Sequence, residues 1–180
     1  MPSSTIPKAT LRTVLRRFRR NRGGSAAVEF ALVAPVFFAL LFAIIETALV
    51  FFAGQVLETI TQDSARQILT GQAQTAGLNQ AQFKTLVCGK IPALFTCGNV
   101  YVDVQSYPSF GNVTIASQID GSSNFIPTML YNPGGPGDIV VVRLFYQWPL
   151  IVTGLGYNIA NLSGSKRLLS ATVAFRNEPY

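Results

Sequence analysis

The sequence contains no histidine and only two cysteines among its 180 residues. Histidine is the commonest general base and the commonest metal ligand, so its absence removes the usual side chain for both roles. Two cysteines without histidine are too few for a structural zinc site. No Gly-x-Ser-x-Gly motif marks a hydrolase nucleophile. The sequence therefore predicts no catalytic residue, no metal site, no cofactor and no enzymatic activity.

Charged residues are scarce as well. They make up 12% of the sequence, whereas apolar residues make up 49%. A soluble globular protein usually contains about 25% charged residues. The deficit favours a protein that lies in lipid or in a packed assembly.

Basic residues are concentrated at the N-terminus. Seven of the fourteen lysines and arginines lie within the first 22 residues, and the first acidic residue is Glu29. From Ser25 onward seven basic residues stand against eight acidic ones, so the remainder is nearly neutral. A neutral remainder is a poor basis for a nucleic-acid surface, and no nucleic-acid partner is predicted. The seven leader residues are Lys8, Arg12, Arg16, Arg17, Arg19, Arg20 and Arg22.

A long apolar run follows this leader. Residues 30–45 carry no charge, and apart from Glu46 the apolar character continues to Ala53. As a helix, residues 30–53 would be about 36 Å long, enough to cross a hydrocarbon core of roughly 30 Å. The run is too long for an ordinary secretory signal, and Phe51-Phe52-Ala53 is a poor cleavage site. We therefore expect one transmembrane helix.

The charge asymmetry around this helix sets its expected orientation. Seven positive charges precede it, and the opposite flank offers none until Arg66. The positive-inside rule then places the N-terminus in the cytoplasm and the C-terminal domain on the exported side. The predicted organisation is a basic leader over residues 1–24, a membrane helix over 25–54 and an exported domain over 55–180.

The junction between leader and helix carries a specific pattern. Two glycines, Gly23 and Gly24, interrupt the helix and leave a backbone that a protease can bind in extended form. Gly24-Ser25 followed by Glu29-Phe30 resembles the processing site of prepilin-like proteins. The run at residues 27–35 is similar to the TadE-like minor pseudopilins of tight-adherence (Flp) pilus systems, and residues 175–180 resemble their tail.

This resemblance implies a processing step and a set of partners. A prepilin peptidase of the inner membrane would cut between Gly24 and Ser25. Glu29, the fifth residue of the mature chain, would neutralise the new amine of its own chain or of a neighbouring subunit, with Phe30 beside it. Other pilus subunits and the assembly machinery would be further partners. The alternative for Glu29 is a carboxylate that reaches the cytoplasmic headgroups.

A second carboxylate, Glu46, lies about 24 Å along the helix from Phe30, near the exported boundary of the membrane. Two interpretations are open. The carboxylate contacts a cation on another subunit, or it is hydrated at the membrane interface.

The exported domain is predicted to be α+β. The long helix should end near Gly71, and Asn79 should cap a short helix that runs through Val87. A small antiparallel sheet of three or four strands should pack on the second half of the long helix, as in type IV pilins. The expected strands are residues 100–105, with Tyr101, Asp103 and Gln105 on a wet face, a weak strand at 111–117, a central strand at 139–148, and residues 169–175.

Cys88 and Cys97 enclose eight residues. An exported domain meets oxidising conditions, which allow the two to form a disulfide that contributes about 2–3 kcal/mol in the chain-entropy model. The alternative is a pair of buried free thiols.

The sequence as a whole favours a minor pseudopilin required for assembly of an adhesive pilus. The competing hypothesis is a permanently anchored exported protein that serves as a binding domain or scaffold. The two differ at Gly24, because only an assembling subunit needs the cut.

Overall fold

The computed structural model describes residue 16 and residues 24–153 and 157–180. Of the predicted basic leader, only Arg16 and Gly24 therefore fall among the described residues. The chain divides into two compact units, residues 1–42 and 43–180, which are described separately.

Helix α1 spans Ser25–Leu69 and is 45 residues long. In the first unit its apolar side chains are exposed. In the second unit one stripe of the helix is buried, at the three- and four-residue spacing of a helix that covers a core. Gly71 ends the helical region with φ 74°, a conformation that glycine adopts without strain. The predicted end of the helix is confirmed. The buried stripe consists of Val50, Ala53, Leu57, Ile60, Thr61, Ser64, Ala65 and Ile68.

Two short helices follow α1. The first, α2, spans Gln72–Thr75. The second, α3, spans Gln80–Cys88 and begins at the predicted cap, Asn79. The Asn79 side chain accepts a hydrogen bond from the Gln82 amide at 2.9 Å, and the Gln82 side chain accepts one from the Asn79 amide at 2.9 Å. This capping box satisfies two amides that would otherwise lack partners at the start of the helix.

Three strands form one antiparallel sheet in the order β1-β2-β3. β1 is Val100–Tyr107, β2 is Ile139–Pro149 and β3 is Lys166–Arg176. The central strand is the one that the sequence predicted from its nearly continuous apolar run. The inner faces of β1 and β2 pack on the buried stripe of α1. Each fully buried aliphatic side chain contributes about 1.5–3 kcal/mol. The α+β prediction of a long helix on a small antiparallel sheet is confirmed.

The expected wet face of β1 is wrong at Asp103, which is buried. One carboxylate oxygen accepts hydrogen bonds from Nε and Nη2 of Arg143 at 3.0 and 2.8 Å, and the other accepts one from the Leu130 amide at 2.8 Å. The segment between β1 and β2 covers this face, with Phe125 packed against Tyr101. The side chain is therefore paired and hydrogen-bonded, as a buried charge must be.

The weak strand predicted over residues 111–117 is also wrong. A single turn of 3-10 helix at Phe110–Asn112 is followed by irregular chain. The carbonyl oxygen of Ala116 accepts a hydrogen bond from Arg143 at 2.9 Å, so a side chain replaces a strand partner there. A later segment pairs with the free edge of β1, where Val104 exchanges backbone hydrogen bonds with Leu130 and Asn132.

Candidate membrane-anchoring and assembly site

The N-terminal part of α1 exposes apolar side chains around its circumference. Phe30 is 69% exposed, and bulky residues on every side of the helix are exposed with it. Among the described residues, Ala26–Leu69 is the helix long and apolar enough to cross a membrane; its apolar window has a mean hydropathy of 2.6 and none of it is buried. A soluble helix would bury at least one apolar stripe. The part of the chain that the structure describes thus contains one helix suited to a membrane crossing.

Four of the predicted site residues lie at the start of this helix. Gly24 directly precedes the first helical residue, Ser25, and a Cβ atom added at Gly24 would meet no other atom within 4 Å. Glu29 follows Ser25 by four residues, a spacing that places two positions on the same helix face. Glu29 and Phe30 are both exposed. The structure therefore brings the proposed cut and the proposed assembly residues together at one helix end.

Glu46 lies in an environment formed by its own chain. Its side chain is buried, and its carboxylate accepts hydrogen bonds from the backbone amides of Ile151 and Val152. The Val152 amide lies 3.1 Å from both carboxylate oxygens. The interfacial hydration expected from the sequence is wrong, because the side chain is buried, whereas contact with a cation on another subunit stays a prediction. The partners are backbone donors of the same chain.

The neighbouring residue adds a second tie between the same two segments. The Thr47 hydroxyl donates to the Ala43 carbonyl oxygen at 2.7 Å and also contacts the Tyr157 hydroxyl. Glu46 and Thr47 therefore hold the chain that follows β2 at two places, residues 151–152 and Tyr157. No local sequence pattern indicates these contacts, because the partners are more than 100 positions apart.

Cys88 and Cys97 are joined by a disulfide, with their Cα atoms 5.5 Å apart. The bridge links the end of α3 to the residues that lead into β1. Within the loop it closes, Phe95 is buried and packs edge-on against Tyr146 of β2 at 4.9 Å between ring centroids. The disulfide therefore has a structural role, because it closes a loop whose Phe95 side chain packs on the sheet.

The C-terminal tail fastens the other end of α1. Asn177 is buried, and its side-chain amide donates to the carbonyl oxygens of Pro133 and Gly135 at 2.9 and 3.0 Å. The next residue, Glu178, donates its backbone amide to the Leu69 carbonyl oxygen at 3.0 Å. The tail thus satisfies one of the carbonyl groups left open at the end of the helix.

Fold and site together define a protein with one helix able to span a membrane and an α+β domain built on that helix's second half. Residues 24–66 match the family model described as TadE-like protein. The match confirms the resemblance seen in the sequence over this segment, which begins at Gly24 and ends within α1. No curated protein sequence and no solved structure matches the chain significantly.

The contact of Glu46 gives a direct prediction. Glu46→Gln removes the negative charge and replaces one carboxylate oxygen with an NH₂ group that cannot accept a hydrogen bond, so the Ile151 and Val152 amides are left with one neutral acceptor oxygen. A hydrogen bond to a charged group contributes about 1.5–3 kcal/mol, against about 0.5–1.5 kcal/mol for one to a neutral group, so these amides should exchange their hydrogens roughly tenfold faster. Hydrogen–deuterium exchange of the full chain in detergent micelles measures the change.

The matched control for this experiment is Glu58→Gln, which makes the same substitution at an exposed position of the same helix. Exchange at residues 151 and 152 should be unchanged in that variant. Equal exchange in the wild-type chain and in Glu46→Gln would contradict the assigned role of the carboxylate.

Proposed function

We propose that this chain is a TadE-like minor pseudopilin that is cut after Gly24 and supports assembly of an adhesive tight-adherence pilus, and that it is not an enzyme. The observation that supports this most strongly is the extent of the family match. Residues 24–66 contain the proposed cut, Glu29, Phe30 and the membrane-compatible part of the helix.

The start of α1 is consistent with such a cut. Because the helix begins at Ser25, cleavage after Gly24 leaves a mature chain whose first residue starts the helix. It also removes the seven positive charges of the leader. Leaving the bilayer with that cluster would cost a few kcal/mol per charge, even on the lenient insertion scales. The cut therefore frees the helix for transfer into an assembly.

In this proposal the leader determines topology before it is removed. Its positive charges keep the N-terminus in the cytoplasm, so that the prepilin peptidase of the inner membrane cuts on that side and the domain lies in the periplasm. The uncut alternative, a permanently anchored binding or scaffold protein, has the same helix and the same orientation. The processing step is what distinguishes the two.

Glu29 is the proposed assembly residue. Cleavage creates an ammonium group on Ser25, four residues and about 6 Å of helical rise from Glu29. A carboxylate in an apolar environment needs a cationic partner, and this amine supplies one within the same chain or from a neighbouring subunit. Because Glu29 and Phe30 are exposed, both are accessible to a second helix that packs alongside.

The processing step is tested by the N-terminus of the mature protein. N-terminal sequencing and intact mass should give a chain that starts at Ser25 in cells that contain the peptidase, and a chain that retains residues 1–24 in cells that lack it. Gly24→Ala should slow the cut. Gly54→Ala is the matched control, since a Cβ atom there also meets no other atom within 4 Å. An uncut chain in wild-type cells would support the permanently anchored alternative.

The role of Glu29 is tested by Glu29→Gln, which preserves shape and removes the charge. Membrane insertion and cleavage should be retained, whereas pilus assembly should be lost because the new amine has no counter-charge. Electron microscopy of surface pili and sequencing of the N-terminus separate assembly from processing. Glu58→Gln, at an exposed position later in the helix, should leave piliation normal. Normal piliation in cleaved Glu29→Gln would rule out the role.

A further inference from the structure

The chain that follows β2 is unusually apolar for a connection on a domain surface. The nine residues from Pro149 to Tyr157 contain no charge. Among the described residues of this stretch, Leu150 is buried in the core, whereas Ile151 is 91% exposed. One exposed isoleucine is common on a protein surface, but a group of exposed apolar residues marks a surface that another apolar phase covers.

The position of this segment along α1 indicates which phase that is. Glu46 and Thr47 hold it, and the exposed Phe51 and Phe52 follow them on the helix, 70% and 59% exposed. Six residues of helix separate Glu46 from Phe52, which corresponds to about 9 Å. Helical side chains tilt toward the N-terminus of the helix. The Glu46 carboxylate and its two amide partners therefore lie level with the Glu46 Cα atom or closer to the N-terminus. Ile151 is therefore on the membrane side of the last exposed apolar residues of the helix.

The hydrogen bonding of the segment suits an apolar environment. Irregular backbone is tolerated at membrane depth only where its polar groups have partners within the protein. The amides of Ile151 and Val152 donate hydrogen bonds to Glu46, and the Leu150 amide donates one to the Ser165 carbonyl oxygen at 2.9 Å. In turn, the same two amides stabilise a carboxylate that would be costly to leave unpaired near lipid.

We propose that Ile151, Val152 and Tyr157, which are held by the adjacent residues Glu46 and Thr47, form a second membrane contact that enters the bilayer interface next to α1. The partner is the lipid surface at the boundary between headgroups and acyl chains. Ile151 supplies the apolar contact, and Tyr157 supplies an aromatic ring with a polar end, the type of side chain enriched at that boundary. This inference rests on the proposed membrane crossing of α1.

The chain allows a clean test with single labelling sites, because Cys88 and Cys97 are both consumed by the disulfide. Ile151→Cys, carrying the fluorophore bimane, reports on the proposed contact in the full chain reconstituted into phosphatidylcholine–phosphatidylglycerol vesicles. Ile115→Cys is the matched control, since Ile115 is also an exposed isoleucine, at 60%. Its neighbour Thr114 contacts Tyr107, which pairs with Ile139 at the opposite end of β2 from Pro149. Phe37→Cys reports separately on the membrane crossing.

Two quenchers distinguish the environments: a lipid with a nitroxide near its headgroup, and iodide in the water. The label at residue 151 should be quenched by the nitroxide lipid, and its iodide quenching should be several-fold weaker than at residue 115. Bimane at Val152→Cys provides a second site if Ile151→Cys does not fold.

The other outcomes separate this inference from the proposal it rests on. If the label at residue 37 is quenched by lipid and the label at 151 is quenched only by iodide, the membrane contact is wrong and the anchor stands. If the label at 37 is not quenched by lipid, the membrane crossing itself fails. If the label at 151 is shielded from both quenchers and the shielding grows with protein density, a second copy covers it and the lipid contact is overturned.

Discussion

The structure depends on one constraint: a single helix has to satisfy two environments. Over residues 26–42, α1 exposes apolar side chains that would each cost about 1.5–3 kcal/mol to leave in water. From Val50 onward, the same helix buries one stripe in the domain core and exposes polar side chains such as Glu58. The first stretch needs lipid or neighbouring subunits, and the second needs the sheet. An α+β domain with a helix suited to crossing a membrane follows from this division.

Glu46 lies near the change from one environment to the other. A carboxylate at that position is costly in lipid and would also be misplaced in an apolar core. The structure resolves the conflict with the two amides of Ile151 and Val152, which need acceptors for the same reason. The bond thus satisfies groups from two segments at once, and it holds the chain after β2 against the helix. In the proposed function, Glu29 has a related role near the start of the helix, where the donor would be the amine that cleavage creates on Ser25.

Much of the fold could be predicted from local sequence. The end of α1 near Gly71, the cap at Asn79 and the central position of β2 follow from residue type and periodicity over a few neighbours. The proposed cut site and assembly residue come from one short motif that contains Gly24, Ser25 and Glu29, and the family match covers that motif.

The failures have a common physical cause, which is contact between residues far apart in the chain. Asp103 fits the wet face of an alternating strand and is buried only because Arg143, 40 positions later, pairs with it. The partners of Glu46 lie 105 and 106 positions away. Residues 111–117 have strand-like composition, but Leu130 and Asn132 occupy the edge of β1 where they would pair. Periodicity reports how a segment divides its faces and does not report what covers them.

The central claim is that α1 crosses the membrane with the leader in the cytoplasm and the domain outside, and labelling of single cysteines tests it most directly. Ser122→Cys is an exposed position of the domain, and Ser4→Cys lies in the leader, which is retained in cells without the peptidase. In intact spheroplasts, a membrane-impermeant maleimide should label residue 122 at once and residue 4 only after permeabilisation. Labelling of residue 4 in intact spheroplasts, or protection of residue 122, would contradict the account.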